Sequence, residues 1–478
     1  MALLTDLYQL TMAYGYWRAE KAAEEAVFHL FFRENPFEGG YAIAAGLEHA
    51  IEYLEHFRFT DDDLEDLRAI RGNDGARLFP DDFLAYLRDL ELTCDVDAVP
   101  EGTVVFPHEP LVRVRGPILQ AQLVESALLN MINFQTLIAT KAARVVLAAD
   151  GDPVLDFGLR RAQGVDGGLA ASRAAYIGGC TATSNVLAGA MYGIPVRGTH
   201  AHSWVMSFPS ELEAFRAYAE VMPNNALLLV DTYDTLDGVA HAIEVGQQLR
   251  AAGHELAGIR HDSGDLAYLS IEARKMLDAA GFPNARISAS NDLDEHLITS
   301  LKAQGARIDV WGVGTKLITA FDQPALGGVY KLTAIRPAGG PWQYKIKLSE
   351  QAIKISNPGI LQVRRFVVDG EAAGDMIFSE DGPQPTATIV DPLDLTRRKD
   401  FDASATSSDL LVPLFRGGAR VYDPPPLEEV RARREQQLAL FHPGIKRLVN
   451  PHRYPVGLEQ QLFDLKTRLV LEARGMGA

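Results

Sequence analysis

The chain has 478 residues, 47% of them hydrophobic, and a formal net charge of −17, so it is long enough to bury one large core and a second, smaller one. So large an acidic excess argues against a general nucleic-acid surface, which needs a concentrated positive field. The longest stretch free of charge, 174–196, contains glycines, Thr181, Thr183, Ser184 and Asn185, too polar for a membrane span.

Asp6 interrupts the short apolar start and no cationic segment precedes it, so no export signal is expected and the cytoplasm is the expected compartment. Thr5-Asp6-Leu7-Tyr8 suits a helix start, with Tyr8 open to helix packing or to holding a flat aromatic ligand. Ala26–Phe32 and Gly102–Val114 contain strand-like runs. The two cysteines, Cys94 and Cys180, are read as buried thiols, too few for a disulfide framework or a zinc module.

From 116 to 334 one pattern repeats: a short apolar run ends in glycine, hydroxyl or charged residues and is followed by a helical stretch, as in βα units. The expected strands are Val154–Gly158, Ile194–Gly198, Ala226–Val230, Leu256–Ile259, Arg286–Ala289 and Ile308–Trp311. Ser210–Val221, Leu236–Ala252, Leu266–Ala280 and Leu293–Gln304 are the expected covering helices. An open doubly wound sheet could use the same units. Reactive residues after so many successive strands favour a barrel, where all of them converge on one rim.

Beyond the barrel, Gln343–Leu348, Leu361–Val368 and Thr386–Val390 read as strands, and Glu428–Leu440 as a helix after the boundary at Pro424–Pro426. Residues 1–115 and 335–478 are therefore expected to form a smaller α+β domain from both chain ends, around a barrel at 116–334.

The densest chemistry is Arg197-Gly198-Thr199-His200-Ala201-His202-Ser203-Trp204. Glycine permits close approach of a ligand and Thr199 offers a hydroxyl. A histidine can transfer protons, bind a metal or accept a phosphoryl group, and the residues alone leave these roles open. In Arg260-His261-Asp262-Ser263-Gly264-Asp265, Arg260 could grip a carboxylate and Asp262 could orient a group or hold hydrated magnesium. Ser263 and Asp265 could instead cap the next helix. Gly314-Thr315-Lys316 could receive a phosphate on backbone amides and a cation, or could be a plain turn. Of the adjacent Arg160 and Arg161, Arg160 is assigned to ligand.

Together these segments resemble the nicotinate phosphoribosyltransferase family: Leu4-Thr5-Asp6-Leu7-Tyr8-Gln9-Leu10-Thr11-Met12, Arg160–Gln163, Gly198–Ser203, Asp262-Ser263-Gly264-Asp265, Gly178-Gly179, Ser184–Gly189 and Gly312–Lys316. The resemblance covers almost the whole chain. It implies an irregular type II phosphoribosyltransferase barrel, a homodimer, and a reaction of nicotinate with 5-phosphoribosyl-1-diphosphate to give nicotinate mononucleotide and diphosphate. ATP is the co-substrate and Mg2+ the supporting ion, with metal ligands unassigned. It implies transient phosphorylation of His202, with His200 at a more variable position. Tyr8, Thr199 and Arg260 match nicotinate-site positions, Arg160 a basic active-site position and Thr315 a phosphate-site position. Gly198, Ser203, Asp262, Gly314 and Lys316 are expected to bind or orient phosphate. Ser184 stands where the nicotinamide-using relatives carry an Asp, which favours nicotinate. A metal-assisted hydrolase using His200 and His202 is the alternative from another class. The segment Ser356–Val363 departs from the family pattern, lacking basic character after its glycine.

Overall fold

The computed structural model describes residues 1–394 and 396–476. Backbone contacts divide the chain into two units, 138–324 and the combination of 1–137 with 325–478. Among the described residues, no helix is long and apolar enough to cross a membrane.

The central unit is an α/β barrel-like sheet of parallel strands: β1 Val154–Asp156, β2 Ala182–Thr183, β3 Leu227–Leu229, β4 Gly258–His261, β5 Arg286–Ala289 and β6 Val310–Val313. Their spatial order is β2-β1-β6-β5-β4-β3. Pairing of β1, the first of these strands, with β6, the last, bends the run of βα units toward a barrel. Asp231, Asp262 and Ser290 therefore follow strand ends on one rim, whereas Thr199 lies beside Leu227, the first residue of β3.

The barrel is irregular at one seam. The expected strand Ile194–Gly198 reduces to a single bridge, Val196 beside Thr183. Pro195 has no N–H to donate, and no ladder joins this segment to β3. Side chains span the seam instead: the Thr199 hydroxyl donates to the Leu227 carbonyl at 2.8 Å, and the Leu229 N–H donates to His200 Nε2 at 3.2 Å. The two-residue β2 is too short to announce itself by alternation and was not expected. The strands expected at Leu256–Ile259 and Ile308–Trp311 form two residues later, so Arg260 lies within β4 and Gly312 within β6 rather than beyond them. Glycine opens β4 for a steric reason: a Cβ on Gly258 would fall 2.1 Å from the Arg286 carbonyl oxygen.

Helices fill the connections: α1 Val165–Ile177, α2 Val186–Tyr192, α3 His202–Met206, α4 Glu211–Val221, α5 Thr235–Ala251, α6 Leu266–Ala279, α7 Glu295–Ala303 and α8 Thr315–Ile318. The four expected covering helices are α4 to α7, with ends shifted by at most two residues. Ser210, Asp234, Asp265 and Asp294 each cap one of them by accepting first-turn N–H groups.

Among the described residues, the other unit carries a seven-stranded and a six-stranded sheet. Leu361–Val368 forms as expected; Ala26–Phe32 becomes Glu25–Phe31, and Thr386–Val390 becomes Thr388–Val390. Gly102–Val114 splits into Val104–Val105 and Val112–Pro117, with Pro107 and Pro110 in the interruption, and Gln343–Leu348 shortens to Gln343–Tyr344. Glu428–Leu440 is helical as Leu427–Ala439. This unit is the larger of the two, not the smaller. It takes in 116–137 and 325–334 because Val329–Arg336 pairs antiparallel with Glu25–Phe31, and helix Ile118–Leu123 packs on that strand.

Two buried features make testable claims about barrel stability. Lys141 and Arg144, on helix Glu125–Ala149, meet Glu295 at 2.6 and 2.8 Å with all three side chains almost completely buried. Lys141 also meets Asp322, so Glu295→Gln removes one of two carboxylates facing two buried cations and is expected to cost about 3–5 kcal/mol, read as a lower urea midpoint; an unchanged midpoint would refute the pairing's importance. His261 is fully buried on β4 with neither ring nitrogen hydrogen-bonded among the described residues, and burial pushes its pKa down to about 4. The unfolded chain takes up this proton near pH 6.5 and the folded chain near 4, so stability present above pH 6.5 is lost as pH falls toward 4. Replacing it, as His261→Leu, should flatten that acid-side loss by up to about 3 kcal/mol, comparing urea unfolding at pH 7 and 4.5. A slope identical to the parent's would contradict the assignment.

Candidate active site

The C-terminal ends of β3, β4 and β5 deliver Asp231 with Thr232, Asp262 with Ser263, and Ser290. The segment leaving the seam brings in His202 as the first residue of α3. Its Nδ1 lies 3.1 Å from the Thr232 hydroxyl, and its Nε2 lies 3.7 Å from Asp262 and 4.0 Å from Asp231. Asp231 is nearly buried. One of its oxygens accepts the Asp262 N–H at 2.8 Å and the Ser263 hydroxyl at 2.7 Å, while Oδ1, the oxygen nearer the imidazole, has no hydrogen-bond partner among the described residues. Ser290 donates its hydroxyl to Oδ1 of Asp262. Three strand ends thus fix two carboxylates against one half-exposed imidazole.

Arg260 is the cation set against this group. Arg260 donates to the His200 carbonyl at 3.2 Å, and its Nε has no partner among the described residues. Burial lowers its pKa and the field of Arg160 adds to that, against the opposing Asp262 and Asp231. Arg160 stands exposed in the turn Leu159–Arg161 after β1. Gly158 lets that turn meet α8, since a Cβ there would come 2.4 Å from Ile318. Gly314 caps α8 and Thr315 begins it. Lys316 is ion-paired at 2.5 Å with Asp294, whose hydrogen bond raises the lysine's pKa, so it is tied to a helix cap rather than standing free.

The remaining expected residues divide. The Thr199 hydroxyl is engaged at the seam, and among the described residues nothing beyond its chain neighbours would lie within 4 Å of a Cβ on Gly198. Ser203 is exposed on the first turn of α3. Tyr8 belongs to the other unit, half exposed on helix Leu7–Arg18. Asp265 caps α6 through the Tyr268 N–H, whereas Ser263 orients Asp231. His200 is buried, with Nε2 accepting from β3 and its ring packed on Tyr218 at 4.7 Å, so it does not share a ligand with His202. Around Ser356–Val363, the missing basic character is met from elsewhere: Lys466 donates to Asn357 at 2.8 Å, and burial brings its pKa down to about 8. Asp231 was expected at the strand end after Ala226–Val230 with no role assigned, and Thr232 was not singled out. Asp231's place directly after an apolar run was the available signal.

Among the described residues, no three His, Cys, Asp or Glu side chains are grouped to hold a metal ion. Asp231 Oδ1 and the outer oxygen of Asp262 are hard donors of the kind magnesium uses when water and phosphate complete its shell. The residues fit that mode.

Comparison with known proteins agrees with this geometry. Residues 3–133 match the nicotinate phosphoribosyltransferase N-terminal domain, 153–340 the nicotinate phosphoribosyltransferase family and 362–466 its C-terminal domain. The chain is 46% identical over 480 residues to nicotinate phosphoribosyltransferase of Bacillus subtilis, covering 99% of this chain and 96% of that protein. The crystal structure of human nicotinic acid phosphoribosyltransferase superposes with a TM-score of 0.82 at 33% identity, covering 98% of this chain and 99% of the other. A nicotinate-nucleotide pyrophosphorylase from Pyrococcus furiosus, at 22% identity and a TM-score of 0.70 over 92% and 95% of the two chains, shares the fold. The chain belongs to the nicotinate phosphoribosyltransferase family.

Proposed function

We propose that this enzyme joins nicotinate to 5-phosphoribosyl-1-diphosphate, forming nicotinate mononucleotide and releasing diphosphate, with ATP hydrolysis coupled through a phosphohistidine at His202. The observation that carries the reading is the imidazole of His202 held by Thr232 on one side and by Asp231 and Asp262 on the other. A carboxylate beside an imidazole can keep the proton on one ring nitrogen while the other presents the lone pair that attacks phosphorus. The γ-phosphoryl group moves to His202 as ADP leaves, and water later releases it as phosphate.

In the transfer itself, the pyridine nitrogen forms a bond to the anomeric carbon as the bond to diphosphate breaks, so nucleophile and leaving group must be held in line. Arg260, half-buried and with an Nε that has no partner among the described residues, is assigned the nicotinate carboxylate. Arg160 is assigned the diphosphate, and Gly314 and Thr315 at the start of α8 the ribose phosphate. Tyr8 is assigned the stacking role against the pyridine. Ser184, neutral where a carboxylate would repel nicotinate, favours the acid over nicotinamide. Magnesium held by Asp231 and Asp262 would supply charge neutralisation to departing diphosphate. A cytoplasmic homodimer with no nucleic-acid or membrane partner is part of the same proposal.

Two measurements test it. With phosphoribosyl diphosphate, ATP and magnesium, product-resolved assays should show nicotinate consumed much faster than nicotinamide or quinolinate; equal turnover of nicotinamide overturns the substrate assignment. Incubation with ATP should place an acid-labile phosphate on His202. In the variant His202→Ala the label should vanish and ATP-stimulated turnover should fall at least about tenfold, while some ATP-independent product formation survives. His200→Ala should keep the label and lose stability, because its imidazole closes the seam. Label retained in folded His202→Ala excludes the coupling role.

A further inference from the structure

In a chain with 63 Asp and Glu against 46 Lys and Arg, a local concentration of positive charge stands out. One lies in the larger unit, at the edge of its six-stranded sheet. Strand Thr388–Val390 pairs there with the edge strand Arg398–Asp400 on one side and with Val456–Glu459 on the other. A cavity of about 250 Å3 opens beside them, lined by Arg397, Arg398 and Lys399 along the edge strand and by Arg453 at the approach to Val456–Glu459. Among the described residues, Asp391 is the one acidic side chain in its wall.

Two of these guanidiniums are held in place without being fully engaged. Arg453 meets Asp391 at 3.1 Å and Arg397 meets Asp394 at 3.0 Å, yet the two arginine side chains remain 61% and 62% exposed. A guanidinium has more N–H donors than one such contact uses, so both keep donors for another anion. Asp391 is itself fixed: its carboxylate accepts the Leu393 N–H at 2.9 Å, and its own N–H donates to the Arg397 carbonyl at 3.0 Å, closing the loop between the strands. The forks are therefore oriented before a ligand arrives. Lys399 donates its ammonium to a neutral acceptor, the Ala373 carbonyl, at 2.6 Å. The Arg398 guanidinium makes no hydrogen bond or ion pair among the described residues. Ile389 and Tyr454 in the wall are buried, and the Tyr454 hydroxyl is committed to Asp375 at 2.9 Å, so recognition falls to the cations. Guanidinium forks from two separate segments suit the oxygens of an anion with more than one charged group. The cavity is smaller than the roughly 300–1,000 Å3 of drug-sized sites, so that anion is compact.

The geometry points to an anion site in the larger unit: the cavity takes a compact polyanion of the diphosphate class, bridged between Arg397, Arg398 and Lys399 on one side and Arg453 on the other. None of these residues takes part in the proposed transfer chemistry, so the site stands or falls separately from it.

The test is isothermal titration calorimetry of the full-length protein with inorganic diphosphate in the absence of magnesium. The parent should show two classes of site, because diphosphate is also the product assigned to Arg160. Arg398→Gln and Arg453→Gln should each weaken one class by about tenfold, the loss expected for one charge-assisted contact, and leave the other class and nicotinate turnover unchanged. Arg160→Gln should weaken only the other class. Lys275→Gln, which removes an exposed cation of the central unit paired with Glu272, should weaken neither. Absence of binding by the parent overturns the proposal, as does binding unchanged in both Arg398→Gln and Arg453→Gln. A loss in Lys275→Gln equal to theirs also overturns it, since that marks diffuse attraction, and so does loss of all binding in Arg160→Gln. If Arg160→Gln changes nothing while the cavity variants lose binding, the diphosphate role of Arg160 fails and this site remains. If Arg453→Gln lowers the melting temperature, Arg398→Gln decides the matter, because its guanidinium has no protein partner to lose.

Discussion

One incomplete seam organises the central unit. Between Val196 and β3 the ladder is missing, and the Thr199 hydroxyl and the His200 imidazole replace it with bonds to the Leu227 carbonyl and the Leu229 N–H. A side chain that bonds to a strand fixes its own backbone in doing so, and the chain three residues beyond Thr199 is therefore aimed at the ends of β3 and β4. His202 reaches Thr232, Asp231 and Asp262 for that reason.

Burial decides which charged groups are structural and which are available to ligands. Lys141 and Arg144 are deep and are balanced by Glu295 and Asp322, and Lys316 is tied to the cap of α7. The Asp231 side chain is equally deep, yet among the described residues one of its oxygens has no partner and Arg260 keeps an unpartnered Nε close by. An unsatisfied buried polar atom is costly in isolation. At a rim where a charged substrate arrives, that cost is offset when the substrate binds, so such atoms collect where chemistry is done.

Much of the barrel was legible because βα units carry two local signals, an apolar run and an amphipathic stretch opened by a capping Ser or Asp. Those signals located α4 to α7 within two residues and β5 in full. They failed where the structure is held by contacts rather than by pattern. β2 has only two residues, Ile194–Gly198 looks like a strand but contains Pro195, and Val329–Arg336 belongs to the other unit because its pairing partner, Glu25–Phe31, lies some three hundred positions earlier in the chain. The pairing of Lys316 with Asp294 likewise joins residues that local spacing does not connect.

By itself the sequence determined the family, through motifs spread along nearly the whole chain, and with them the candidacy of His202 and Arg260. Residue type and local spacing carry that information, since a catalytic loop needs its glycine, hydroxyl and imidazole in fixed order. Tertiary structure alone decided which of two nearby histidines closes the seam and which faces the carboxylates. It also brought Thr232 to the imidazole and set Asp231 against Asp262 and Ser263. Each of these depends on groups brought together from different strands, and hydrogen-bond partners separated by thirty residues leave no mark in local composition.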